Sequence, residues 1–162
     1  MRLHGEWLVL AERVIQDAYT NALTLVSCLD QVTAVRFPAQ HHGFGVAARY
    51  RVDGEPPKKP TRVRFRLLRV SEVDPEETLS EFESVWEPGT QRSRIAVNFQ
   101  FLRLKRAETL CFRVDHKVGN AAWQRGPSCM LDVVQVVLTP EEREAALLEL
   151  RARGLPTTDL ES

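Results

Sequence analysis

The sequence predicts an all-β fold, an antiparallel sandwich or barrel of about eight strands followed by a short C-terminal α-helix. Three observations carry that expectation. Hydrophobic residues alternate with polar ones in eight segments, near 7–16, 21–29, 43–52, 61–70, 78–86, 92–104, 108–118 and 128–138. Turn-forming clusters separate them: Asp53-Gly54 with three prolines, Asp74-Pro75, Pro88-Gly89 and Gly126-Pro127. The prolines of this stretch sit in the gaps, as expected of a residue that cannot donate to a strand ladder.

Taken in order, the segments read as half-buried strands. In 43–52, Phe44, Val46, Ala48 and Tyr50 oppose Gly43, Gly45, Ala47 and Arg49. In 61–70, Val63, Phe65 and Leu67 oppose Arg62, Arg64 and Arg66. In 92–104, Ile95, Val97, Phe99 and Phe101 oppose Arg94, Ala96, Asn98 and Gln100. In 108–118, Leu110, Phe112 and Val114 oppose Cys111, Arg113 and Asp115. One apolar and one polar face per strand is the pattern of antiparallel sheets wetted on one side. Segment 128–138 is apolar on both faces, with Leu131, Val133 and Val137 on one and Met130, Val134, Val136 and Leu138 on the other. Such a strand calls for cover on both sides, and the helix is the expected cover. Thr139-Pro140-Glu141-Glu142 supplies an N-cap, a first-turn proline and acids suited to the helix dipole. The organisation expected is a domain over 1–138, a helix over 139–154 that stops at Gly154, and a flexible tail over 155–162.

The first forty residues carry a recognisable outline. Leu8-Val9-Leu10 runs into Ala11-Glu12 and a polar turn at Asp17; Leu23-Thr24-Leu25-Val26 follows, then Leu29-Asp30, Phe37-Pro38-Ala39 and the strand opened by Phe44. This resembles an uncharacterised family of small bacterial β-sandwich proteins. Glu12 stands where that pattern has Asp, and the hairpin lacks the usual Gly. The resemblance implies a sandwich of immunoglobulin-like or C2-like outline in a bacterial or phage protein. It implies no activity and transfers no functional residue.

Length and charge exclude several functions. A chain of 162 residues with 43% hydrophobic residues can bury a sizeable single core and is not disordered throughout. With 22 Lys+Arg against 22 Asp+Glu, it is not a uniformly basic nucleic-acid binder. No apolar run approaches the ~20 residues of a membrane helix, and the N-terminus lacks the pattern of a signal peptide. Cys28, Cys111 and Cys129 form no Cys-x-x-Cys pair and lie in apolar stretches. They read as buried, reduced thiols, which points to the cytoplasm.

Chemistry-bearing patterns are sparse. His41 and His42 are adjacent, so regular strand geometry turns them to opposite faces and away from one shared ion. No zinc-type spacing occurs, and the loop acids Asp30, Asp53 and Asp74 stand singly. Cys111 and His116 are five apart on one strand, on opposite faces. There is no nucleophile elbow and no phosphate-cradling glycine loop. No metal or cofactor is expected.

Charge is not distributed at random. Residues 58–70 hold six bases and no acid, residues 71–87 seven acids and no base, and residues 91–106 five bases and no acid. If the acidic strand lies beside a basic one, opposite charges meet across the ladder. If it lies on the other sheet, Arg62, Arg64, Arg66, Arg92 and Arg94 form an electrostatic face for nucleic acid or an anionic surface. Trp123, beside Arg125 in a long polar loop, is a candidate anchor for a partner. The reading that follows is a non-catalytic module that binds a protein partner or itself. Second stands the electrostatic binder, and third a small enzyme using His41, His42 or Cys111.

Overall fold

In the computed structural model, which describes residues 1–17, 19–20 and 22–152, the alternation resolves into two facing sheets. The first is built from β1 (Arg2–Gln16), β2 (Leu23–Cys28), β4 (Ala39–Asp53) and β7 (Arg92–Leu104), in the order β2-β1-β4-β7. The second contains β3 (Gln31–Ala34), β5 (Thr61–Val70), β6 (Glu77–Trp86), β8 (Glu108–Val118) and β9 (Ser128–Gln135), in the order β3-β9-β8-β5-β6. Helix α1 spans Pro140–Ala152. The all-β sandwich with a C-terminal helix therefore stands, with nine strands among the described residues. The additional one, β3, has four residues and runs parallel to β9; every other pairing is antiparallel.

The core is made by the inward sets of these strands. Phe44, Tyr50, Phe65, Phe112, Leu67 and Leu131 are completely or almost completely buried between the sheets. Their rings interlock: Phe44 and Phe112 centroids lie 5.0 Å apart, and Tyr50 and Phe65 5.2 Å. Each ring removes roughly 150–250 Å² of surface from water, so these few side chains dominate the burial. The Tyr50 hydroxyl donates to the Val114 carbonyl, which satisfies a polar group that would be costly in this interior.

The first sheet folds part of itself over its own back. Beyond Ala11, β1 leaves β4 and continues paired with β2 alone. Val14 packs there on Ala47 and Ala11, with Leu23, Leu25 and Ala96 around them. Asn98 reaches across Gly45 to accept from the Val14 amide at 2.9 Å and donate to its carbonyl at 2.8 Å. A Cβ at position 45 would lie 2.6 Å from Asn98 Oδ1, so glycine leaves the passage open.

Several strand-level expectations change. Phe101, read as core, is 44% exposed, while Leu102 and Leu104 take the inward positions. Gly43, with φ at +79°, sits between the paired residues His42–Phe101 and Phe44–Phe99, and the inward set shifts parity on both strands there. Among the described residues nothing covers the outer face of β9: Met130 is 60% exposed, and α1 buries none of its residues. The helix does begin as read. Thr139 and Glu142 form a reciprocal capping box, Glu142 Oε2 accepting from the Thr139 amide at 2.9 Å and Thr139 Oγ1 from the Glu142 amide at 3.3 Å. Gly154 and the segment 155–162 lie outside the described residues. Cys28 is exposed rather than buried, and all three cysteines are free.

Candidate interaction surface

The basic strand β5 has the acidic strand β6 hydrogen-bonded beside it. Arg64 stands opposite Glu83 and Arg66 opposite Glu81. Arg62 lies 3.8 Å from Glu83. These charges meet across a ladder, the arrangement in which opposite signs offset one another. Arg92 and Arg94 lie on β7, in the other sheet, so the five arginines read as one candidate face are divided three and two. Arg92 is 3.3 Å and Arg49 2.9 Å from Glu6, and Arg51 also approaches this carboxylate.

Sequence alternation turned Asp115 outward, and outward it points, yet it is only 1% exposed. It accepts from Arg66 at 3.0 Å, from Arg113 Nε at 2.8 Å and from the Gly126 amide at 3.4 Å. Burial pushes its carboxyl up, but the Arg113 and Arg66 hydrogen bonds together prevail and hold it below the usual carboxylate range. The cover is the 119–127 loop. His116 and Gln124 exchange backbone hydrogen bonds of 3.0 and 2.9 Å, and the Val114 amide donates to Pro127 at 3.1 Å. Gly126 passes so close to β8 that a Cβ would fall 1.8 Å from the Val114 oxygen. Trp123 lies over Arg66, 4.6 Å from guanidinium carbon to ring centroid, with Lys117 at 6.0 Å. The tryptophan is thus half-buried on its own sheet by cation–π contact, and Arg125 beside it is exposed.

The residues considered for catalysis are not gathered. His42 is exposed, His41 is half-buried with an unpartnered Nε2, and both stand on β4. Cys111 is on the outer side of β8, while His116 is buried against Tyr50, their ring centroids 5.3 Å apart. Burial holds the His116 imidazole below its ordinary value, with Gln124 and Asp115 opposing this more weakly. The Cys129 thiol is pushed up to about 12 by burial and by Cys111, which leaves it unreactive as a nucleophile. Among the described residues, no three His, Cys, Asp or Glu side chains converge on a possible metal position. No described helix is long and apolar enough to cross a membrane.

The sheets end in β2 and β3 on one side and in β6 and β7 on the other, and the second side presents the longer edges. β6 is the last strand of the second sheet and β7 the last of the first, each hydrogen-bonded to a strand on one flank only. The two strands are joined through residues 87–91, where Trp86 Nε1 donates to the Thr90 carbonyl at 2.7 Å. Two hollows follow this seam. One, of about 580 Å³, lies between Ser84–Trp86 on β6 and Arg92–Arg94 on β7. The other, of about 410 Å³, is walled by Leu79, Phe99, Phe101 and Leu102 and edged by Arg69, Glu77, Arg103 and Lys105. Arg69 is buried in this second hollow, ion-paired to Glu77 and donating to the Arg103 carbonyl at 2.8 Å. It ties the two sheets together across their open side. Alternation itself places Arg69 on the inward face, in step with Val63, Phe65 and Leu67 and opposite Phe112 on β8; what the pattern could not show is that Glu77 and the Arg103 carbonyl receive it there.

A model of a family of unknown function, DUF6941, matches residues 6–118. No curated protein matches. Among solved structures, a β-glucosidase from Erythrobacter marinus overlaps with a TM-score of 0.46 at 8% identity, over 82% of this chain and 15% of its own. The chain therefore spans about one seventh of that enzyme's length. A superoxide reductase (neelaredoxin) from Ignicoccus hospitalis overlaps with a TM-score of 0.33 at 16% identity, over 80% of this chain and 82% of its own. Overlaps this loose say nothing of what this chain binds or does.

Proposed function

Since the chain belongs to the DUF6941 family of unknown function, we propose its role from its surface: a non-catalytic protein-interaction module that meets its partner along the β6–β7 side. One observation carries this reading. Two edge strands, of 10 and 13 residues, flank a seam where exposed Phe101 and half-buried Leu79 and Phe99 lie over buried Phe44 and Leu102. Unpaired strand edges are templates for another strand, and proteins that keep such edges apart usually blunt or cover them. Here the two edges carry opposite charge: Glu77, Glu81 and Glu83 on β6, Arg92, Arg94 and Arg103 on β7. The absence of a gathered nucleophile, base and acid among the residues named above favours binding over catalysis.

Cross-linking of the tagged protein, followed by mass spectrometry, tests the reading. Partner contacts should map to residues 77–86 and 92–104 and be lost in Arg92→Glu/Arg94→Glu, but kept in Arg64→Glu. Contacts confined to the Trp123 loop or the β9 face would overturn it.

The electrostatic reading retains one supporting observation, the approach of Arg49, Arg51 and Arg92 to the single carboxylate of Glu6. Salt-sensitive retention on a phosphate matrix, abolished by Arg49→Glu/Arg51→Glu, is its expected signature. Absence of retention at low salt removes it.

A further inference from the structure

The chemistry of the open side identifies a partner: we propose that it is a second copy of this chain, joined about a two-fold axis parallel to the strands, with β7 of each protomer antiparallel to β6 of the other. This deepens the interaction reading and rests on it.

The argument starts from direction. The connection through residues 87–91 reverses the chain, so β6 and β7 run in opposite senses on the same side of the sandwich. Rotation by half a turn about an axis along the strands preserves strand sense and exchanges the two layers. It therefore brings β7 of one protomer alongside β6 of its partner in antiparallel sense, twice, and extends each sheet into the other protomer. Two equivalent edge pairings form, and the β6 and β7 edges are closed.

Level comes next. An axis along the strands leaves every residue at its own height. The first hollow places Ser84, Val85 and Trp86 level with Arg92, Ser93 and Arg94. The second places Glu77 and Leu79 level with Phe99, Phe101 and Leu102. Near that height Glu83 of the partner subunit and Val85 of the partner subunit share the outer face with Arg94, and charge selects the register that sets Arg94 against Glu83 of the partner subunit. Two residues along, Ala96 meets Glu81 of the partner subunit. On the inner side, Ile95 and Phe99 approach the partner's apolar positions, so that the exposed Phe101 and the second hollow face the same region on the other protomer.

Charge then selects this axis over the other two-fold. β6 holds three acids and no base, and β7 three bases and no acid. A two-fold perpendicular to the sheets would align β7 with β7 and β6 with β6, placing like charges side by side, which is destabilising. The axis along the strands pairs every acidic edge with a basic one. Glu83 is already 3.8 Å from Arg62, so Arg94 of the partner subunit joins an existing cluster of opposite charge rather than an empty one. The Arg103 carbonyl is already taken by Arg69, so the new ladder ends before it, over residues 92–101.

Sedimentation and light scattering test the proposal on the full chain. The wild type should have twice the 18.5 kDa chain mass at micromolar concentration and low salt, and dissociate as salt screens the exposed pairs. Arg92→Glu/Arg94→Glu and Glu81→Arg/Glu83→Arg should each be monomeric, with Kd raised at least about tenfold. Mixed one to one, they should recover a heterodimer, since each acidified β7 then meets a basified β6; two misfolded variants would not. Arg64→Glu, on the same outer face but one strand in, should leave the dimer intact. A monomeric wild type, a dimer in either swapped variant alone, or a mixture that stays monomeric overturns the proposal. The broader interaction reading fails separately, through the cross-linking map, and survives a monomeric wild type whose partner contacts still fall on β6 and β7.

Discussion

Strands β5 and β7 are both rich in arginine, yet they present opposite situations. β5 lies inside its sheet, with acidic β6 on one flank and β8 on the other. Its Arg64 faces Glu83 across the ladder, and its Arg66 is held by the buried Asp115 beneath Trp123. β7 lies at the rim, with β4 on one flank and no strand on the other. The difference teaches that a basic stretch acquires meaning from its neighbour. In β5 the basic charge is answered within the chain and serves stability. In β7 Arg92 is likewise answered within the chain, by Glu6, but among the described residues the strand's outer flank carries no neighbour and is left for something outside it.

The largest effect that sharpens this contrast is expected at Asp115. Asp115→Ala leaves Arg66 without its carboxylate and Arg113 with Glu76 alone, a loss of about 3 kcal/mol for a broken buried pair. Urea unfolding should show the midpoint fall, with the β6–β7 edge chemistry untouched in the molecules that remain folded. A wild-type midpoint would show that β5 does not depend on charges answered inside the chain.

Acid should act in sequence on two neighbours on β8, the strand that flanks β5. His116 is held neutral in the fold, below its ordinary value of 6.5. Above that value neither state is protonated and it contributes nothing to the pH dependence. As pH falls through 6.5 the unfolded chain takes up a proton that the buried ring refuses, so stability declines. Asp115 has the opposite character: its stabilisation is present above the ordinary 3.8 and is lost as pH falls through its lowered folded value. Thermal unfolding from pH 8 to pH 4 should therefore decline below pH 6.5, and His116→Phe should flatten that slope. An unchanged slope in the variant would remove His116 from the account.

A smaller effect is expected from Arg64→Glu, which sets like charges opposite at Glu83. The cost should be below about 1 kcal/mol by denaturant midpoint. The smallest belongs to Phe101→Ser. This side chain is 44% exposed, so folding stability should change by no more than about 0.5 kcal/mol, while self-association weakens. A larger stability loss would mean that Phe101 belongs to the core after all.

Much of the fold was legible because period-two alternation reports which side of a strand is buried. Val63, Phe65 and Leu67, or Phe44, Val46 and Tyr50, face inward as the pattern demands. The misses share a physical reason. Alternation carries no information on what covers a face: it turns Asp115 to solvent although the 119–127 loop seals it, and it calls for cover over Met130 although no described element packs there. It also fails where the ladder slips. Gly43 at positive φ moved Phe101 out and Leu102 in. β3 is too short to show a period, and its parallel partner β9 lies about a hundred residues away in sequence. The charge blocks were visible in the sequence. Their consequence was not, because it depends on β6 lying next to β5 and on the same open side as β7.

Amide hydrogen exchange, followed as protein concentration rises at low salt, tests the central claim most directly. Residues 77–86 and 92–101 should gain protection together, over the concentrations at which the mass doubles, while β5 amides remain unchanged. Exchange in β6 and β7 that is independent of concentration, or protection that arises instead on the Met130 face of β9, would contradict it.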